Sequence, residues 1–280
     1  MSFTGLLFAN GCGRRPIELW GSFVDQIAEQ GVSAYFVGNF NPSIITPHWL
    51  AMQDVLTVGE ADRAEIEVVH KEISRFGVSG LKFDVTSDKF HILAEAEPFV
   101  RLVDVVACLF LRALPHTPIS AAVLNYYVHA ELSDFSQRMR FGREFAPIQP
   151  WGSLADLFEG SDEHEMGGMT SLTMQMSRGD DEEGVKRITL QPSRRVNGEK
   201  GIFVQVSDTF EKIAKSDDVL VKSAKKASKG KKKKIGDQPD VDNNLRQDGY
   251  YPKLFVENFD TFLAKSRSIA VNLVEKGMAA

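Results

Sequence analysis

Leu81-Lys82-Phe83-Asp84-Val85 and Phe90-His91-Ile92-Leu93-Ala94 flank Ser87-Asp88, and in both runs apolar side chains recur at every second position. Strict alternation places one side of a strand in a core and the other toward water, and a short polar pair between two such runs predicts an antiparallel hairpin. A nearly all-apolar stretch follows at once. From Phe99 to Leu114 only Arg101, Asp104, Cys108 and Arg112 break it, and they fall three or four residues apart on a single helical stripe. Pro98 suits the first turn and Leu114-Pro115 the end, so the spacing predicts a helix over 97–114. A helix this apolar around most of its circumference must pack on more than one side, leaving its polar stripe as the route to water. A strand over 119–132 completes the block 80–132.

Toward the N-terminus, residues 1–15 lack periodicity and read as a flexible arm. Pro16, Ile17, Trp20, Val24 and Ile27 follow helical spacing, predicting a helix over 16–30 with Gly31 as its stop. A strand over 34–40 comes next, ended by Asn41-Pro42. Thr46-Pro47 reads as a cap and first residue of a short helix carrying Trp49 and Leu50. The stretch 64–76 fits a helix through Ile66, Val69, Ile73 and Phe76, but its β-branched content favours a strand. These elements and the block above make a first α+β half, 16–132.

Residues 133–168 form a polar connecting segment. Ser133 is placed to cap a short helix with Phe135 and Met139, 151–158 forms another, and Asp162-Glu163-His164-Glu165 is an acidic loop. Strands return at 169–178, 185–196 and 201–210, with Asp180 to Glu183 at one hairpin tip and Asn197-Gly198 as a hairpin turn at the other. Phe255, Phe259, Phe262, Leu263, Ser266, Ile269, Ala270 and Leu273 trace one face of a last helix, with Lys276 in its final turn and Gly277 as its stop. This second half, 169–280, is interrupted by a lysine-rich insertion over 215–250, too poor in apolar residues to fold alone. Each half places strands before a long apolar helix. The expected architecture is α+β, with antiparallel sheet or sheets backed by two long apolar helices and a duplicated strand-strand-strand-helix unit.

The 280 residues are 43% apolar and 25% charged, ordinary for a globular chain. Cys12 and Cys108 stand alone, which excludes a disulfide framework and a cysteine zinc site and fits a reducing cytoplasm. Apolar runs fall well short of the roughly 20 residues of a membrane helix, and 3–9 is too short for a signal core. Eight lysines, Lys222, Lys225, Lys226, Lys229, Lys231, Lys232, Lys233 and Lys234, crowd the insertion. Without them the net charge of −5 becomes −13.

Neither a phosphate-binding loop nor a strand–GxGxxG–helix occurs, and Gly77-Val78-Ser79-Gly80 is one residue short of a nucleophile elbow and reads as a turn. The six histidines contain no HExxH or HxH pair, so no catalytic residue, metal ligand or cofactor is assigned. Asp84, His91 and His129 are the pocket candidates: Asp84 lies near His91 across the hairpin, and His129 on the strand 119–132 is placed to face it. A nuclease reading of Asp84, Asp88 and Lys89 is answered by turn propensity. The lysine cluster would neutralise phosphates in a salt-sensitive way without reading bases, lacking aromatic residues for stacking.

Several stretches in order resemble a known family: Asn39-Phe40-Asn41-Pro42 with Thr46-Pro47-His48-Trp49-Leu50; Ile73-Ser74-Arg75-Phe76; Phe83-Asp84-Val85-Thr86-Ser87-Asp88-Lys89-Phe90; Leu114-Pro115-His116-Thr117-Pro118-Ile119 with Asn125; Ala146-Pro147 with Pro150-Trp151-Gly152; and Met169-Thr170-Ser171-Leu172-Thr173. They are similar to uncharacterised proteins of about this length sporadically distributed among prokaryotes. The likeness spans about residues 35 to 275 and departs at the lysine insertion. It rests on packing and turn residues, so it implies the strand–helix organisation, a strand at 66–76 and a bacterial setting, but no catalytic residue.

The expected function is a cytoplasmic protein-interaction module without catalysis. It would dock on another protein as an accessory component of a bacterial multi-component system, in defence or on mobile elements. Two alternatives stand beside it: nucleic-acid or other polyanion binding by Lys222–Lys234, and a ligand-binding protein or enzyme with a sheet–helix pocket near His91 and His129.

Overall fold

The computed structural model describes residues 26–159, 167–178, 184–211 and 249–279. The arm 1–15, most of the helix expected over 16–30, Cys12, the acidic loop at 162–165, the tip at 180–183 and the eight clustered lysines lie outside them.

Among the described residues nine strands form one antiparallel sheet: β1 (Ile27–Gly38), β2 (Glu65–Val69), β3 (Ile73–Val78), β4 (Leu81–Thr86), β5 (Lys89–Ala94), β6 (Ile119–Glu131), β7 (Leu172–Ser177), β8 (Val185–Pro192) and β9 (Gly201–Glu211), in the order β2-β3-β4-β5-β1-β6-β9-β8-β7. The expected hairpin is β4–β5, with Phe83 opposite Ile92 and Asp84 opposite His91. The break at 77–80 is the tight turn of a second hairpin, β3–β4. Ser79 and Gly80 there both have positive φ, at 49° and 79°, the primed geometry that matches strand twist.

Two expectations are corrected. Residues 27–30 are strand, not helix, and Gly31 lies inside β1 rather than at a helix end. Ala28, Glu29, Gln30 and Gly31 are weak strand formers, but Glu29, Gln30 and Gly31 pair with β6 and continue into a segment from Val32 that is paired with both β5 and β6, and that pairing overrides local preference. The stretch 64–76 is not one strand but two, β2 and β3, folded back at residues 70–72.

One face of the sheet is apolar and covered. Val32, Ala34 and Phe36 of β1, Phe83, Phe90 and Ile92, and Leu124, Val128, Val204 and Val206 are buried there. The cover is α1 (Pro47–Met52), α2 (Val58–Asp62), α3 (Val100–Ala107), α4 (Phe135–Phe145) and α5 (Tyr250–Met278). Thr46 caps α1, accepting from Trp49 N at 3.3 Å, as expected. Asp134 rather than Ser133 caps α4, accepting from Gln137 N at 2.7 Å, while the Ser133 hydroxyl reaches the Gln137 amide at 3.0 Å.

The apolar helix differs in two ways from its sequence reading. Its second part, Cys108–Ala113, winds as a π-helix. Its polar stripe also does more than reach water: Asp104 and Arg112 are exposed, as expected, but Arg101 reaches the Val55 carbonyl at 3.3 Å and Glu60 at 3.2 Å, and Arg112 reaches the Gln53 and Asp54 carbonyls at 2.8 and 3.1 Å. The stripe clamps the segment carrying α1 and α2 over the core.

Helix α5 lies on β6 and β9 and touches α3 and α4. Gly277 is no stop, because α5 runs to Met278. A Cβ there would meet the Phe141 ring of α4 at 2.2 Å, so the glycine permits close helix approach. Between β6 and β7 the chain forms α4 and a 3-10 segment, Gln149–Phe158. No described helix is long and apolar enough to cross a membrane.

Candidate ligand-binding cleft

Alternation that buries one face of the sheet leaves the other to solvent, and on β1, β5, β6, β8 and β9 that open face is rich in amides, hydroxyls and aromatic rings. The register fixes their neighbours. Ser33 of β1 lies between Leu93 of β5 and Asn125 of β6; Tyr127 faces Gly31 on one side and Gln205 on the other; His129 faces Phe203, which faces Gln191. Arg194 and Arg195, in the β8–β9 connection, and Thr170, just before β7, form walls. Together they enclose a cleft of about 630 Å³.

Gly31 shapes the floor. Tyr127 lies over it so closely that a Cβ would come 2.5 Å from the phenol oxygen. The phenol oxygen is buried and has no hydrogen-bond partner among the described residues. Burial, with the Glu95 carboxylate adding to it, pushes the Tyr127 phenol up to about 12, so it stays protonated. Arg195 stacks over the same ring, 5.9 Å from its centroid, and pairs with Glu29 and, at 3.6 Å, with Glu95.

His129 is held in one tautomer. The Ser193 hydroxyl oxygen accepts the N–H groups of Arg195 at 3.1 Å and Val196 at 3.3 Å, so its own proton goes to His129 Nδ1, 2.8 Å away. Burial lowers the His129 pKa and keeps the ring neutral, which leaves its single proton on Nε2. The ring also packs against Phe203 and Tyr127, with centroids 4.8 and 5.6 Å apart.

Of the three pocket candidates, His91 and His129 both line this cleft and Asp84 does not. The two histidines do not face each other on paired strands. β1 runs between them, with His91 opposite Tyr35 and His129 opposite Glu29. Six residues of strand separate those positions, roughly 20 Å at the usual rise, so no single ion can bridge them. Among the described residues no group of three histidine, cysteine or carboxylate side chains could hold a metal. Asp84 does sit directly opposite His91, and shares Oδ2 with Arg75 and Lys89, each at 3.5 Å. Burial lowers the His91 pKa, with Asp84 opposing and Lys89 adding to the shift. Asp88 accepts from the Thr86 hydroxyl at 2.7 Å, a turn role.

The sequence reading missed most of the cleft: Tyr127, Gln191, Phe203 and Gln205, with both arginines. A signal was there. Asn125, Tyr127 and His129, like Phe203, Gln205 and Ser207, fall on alternate positions of strands whose other face is mostly apolar. Comparison of the chain with models of protein families and with curated proteins found no match.

Proposed function

We propose that this protein is a binding module, and that the cleft on the open face of its sheet is where it holds a ligand. The observation that carries this reading is the lining. Asn125, Gln191 and Gln205 contribute amides, which give and take hydrogen bonds without titrating near neutral pH, and both histidines are kept neutral by burial. Such groups orient a polar molecule by shape and hydrogen bonding rather than by charge transfer or proton exchange. Asn125 donates through Nδ2 to Ser33 at 3.1 Å and Gln205 through Nε2 to Ser207 at 3.3 Å, so each keeps a carbonyl oxygen for a guest.

The test is exposure of the purified chain to a small-molecule extract of cells, followed by mass spectrometry of what it retains. Gln205→Trp, a substitution suited to a strand, fills the cleft and abolishes retention. Equal retention by this variant, or none by the unaltered chain, overturns the proposal.

Docking on another protein, in a bacterial multi-component setting such as the family resemblance implies, is favoured by a different feature. Trp151, Leu154 and Leu157 of the 3-10 segment are 58%, 52% and 73% exposed, an apolar cluster suited to a partner with an apolar surface. Loss of a co-purifying partner on Trp151→Ser/Leu157→Ser supports this second reading; an unchanged association removes it. Polyanion attraction by Lys222–Lys234 is a separate proposal, checked by deleting them and measuring salt-sensitive retention on heparin.

The two halves also suggest a doubled unit. β1 and β6 are each followed by helical segments, then an antiparallel meander whose last strand returns to pair with it, then a helix. The first meander has four strands and the second three, which supports reading any doubled unit as strand–helices–meander–helix rather than strand-strand-strand-helix.

A further inference from the structure

We propose that the guest of the cleft is a nucleotide, its base lying against Phe203 and read by the amides of Gln191 and Gln205, its phosphate on Arg194. This rests on the binding reading above and names the ligand class for the same site.

Three observations converge on it. The first is charge. Among the described residues, Arg194 and Arg195 line the cleft and no carboxylate does, in a chain whose net charge is −5. Arg195 is engaged by Glu29 and Glu95, but Arg194 is exposed and has no hydrogen-bond or ion-pair partner among the described residues. A guanidinium at the rim of an otherwise neutral cleft selects an anionic group, and its fork of donors suits phosphate.

The second is hydrogen-bonding pattern. A side-chain amide offers a donor and an acceptor side by side, which is how glutamine and asparagine read the edge of a base. Gln191 is half-buried and makes no side-chain hydrogen bond to the described residues, so both ends remain for a guest. Gln205 adds an acceptor, and the fixed tautomer of His129 adds a single donor on Nε2. A purely apolar guest would leave these amides unmatched.

The third is the aromatic floor. Phe203 is half-buried on the open face, braced by His129 and Tyr127. A sheet backed by helices, with an aromatic ring on its open face, is a stacking surface for a base that is free or in a single strand.

A free nucleotide and a nucleotide within a single strand share this chemistry, and the experiment separates them. The full chain is titrated calorimetrically with AMP, GMP, CMP and UMP, with their nucleosides, and with short oligomers of rA and rU. At least one monophosphate is expected to bind about tenfold more tightly than its nucleoside. Arg194→Ala erases that difference while leaving nucleoside binding unchanged, and Gln191→Ala weakens both. Binding confined to the oligomers, with the same sensitivity to Arg194→Ala and Gln191→Ala, supports the proposal and identifies a strand as the source. Two results overturn it: no binding of any of these probes, or binding indifferent to both substitutions. If none binds while the cell extract still yields a ligand that Gln205→Trp excludes, the nucleotide is wrong and the cleft reading survives.

Discussion

Gly31 and Tyr127 act as one feature: a backbone position without a side chain lets a ring lie flat across β1. Gly31→Ala places a methyl inside that ring's volume. The ring must lift, at an expected cost of about 1–3 kcal/mol in urea denaturation, the usual range for overpacking. Lifted, the phenol regains water, and its ionisation falls from about 12 toward the ordinary 10. Ultraviolet titration of tyrosinate checks this, and an unchanged titration in the variant would remove the ring-over-glycine account. The histidines of the cleft give a second prediction at this scale. Burial lowers both below 6.5, so the unfolded chain takes up protons at a pH where the folded one does not. Their contribution to stability is therefore complete above about pH 6.5 and is lost as pH falls through the lower folded values. Denaturation midpoints measured across that window should decline with acid, and more gently in His91→Gln/His129→Gln.

Among the elements, α3 and α5 show what alternation and helical spacing can reveal. The hairpin β4–β5, the cap at Thr46, the strand β6 and the apolar helix were all legible, because each rests on local periodicity or on turn chemistry. What stayed hidden depends on contacts far along the chain. The polar stripe reads as a solvated edge, which Asp104 and Arg112 are, but only the folded arrangement brings Arg101 to Glu60 and Arg112 to the carbonyls of 53 and 54. Gly277 reads as a stop because glycine usually ends helices, yet here it seats the Phe141 ring. Breaking the clamp with Arg101→Met should cost about 1–3 kcal/mol, the cost of leaving partly buried acceptors unpaired. Burial raises the Glu60 pKa, but hydrogen bonds from Thr57 and the charge of Arg101 outweigh it and hold the carboxyl below 4.5. The clamp's contribution is thus full above about pH 4.5 and fades as pH falls through the lowered value. Thermal melts of Arg101→Met against the unaltered chain should therefore converge in acid. For the helix pair, Gly277→Ala forces α5 away from α4, and a drop in melting temperature is expected even though alanine is the better helix former.

Across the whole molecule, the sheet grades from a doubly paired centre to two bare margins. β1 and β6 are long, paired on both sides and covered by helices, whereas among the described residues β2 and β7 pair on one side only and carry mostly exposed side chains. Native-state hydrogen exchange should follow that gradient: amides of β1 and β6 open only with global unfolding, and those of β2 and β7 exchange by local opening. Protection as high in β7 as in β6 would contradict it. The cleft could not be read from the sequence for a related reason. Its floor is assembled from five strands whose order, β5-β1-β6-β9-β8, departs from chain order at the centre, and no local pattern reports which strands become neighbours.

That order has a consequence for how the chain comes to be folded. β2 to β5 and β7 to β9 are meanders of adjacent strands and can form as soon as each hairpin is made, with little loop entropy to overcome. β1 has no neighbour nearby in sequence: both of its partners, β5 and β6, lie far downstream. During synthesis it emerges ahead of both: its two edges stay open until 89–94 has left the ribosome, and one stays open until 119–131 has followed. The strand destined for the middle of the sheet is therefore the one that waits longest for its partners, and it is the stretch of nascent chain most exposed to mispairing.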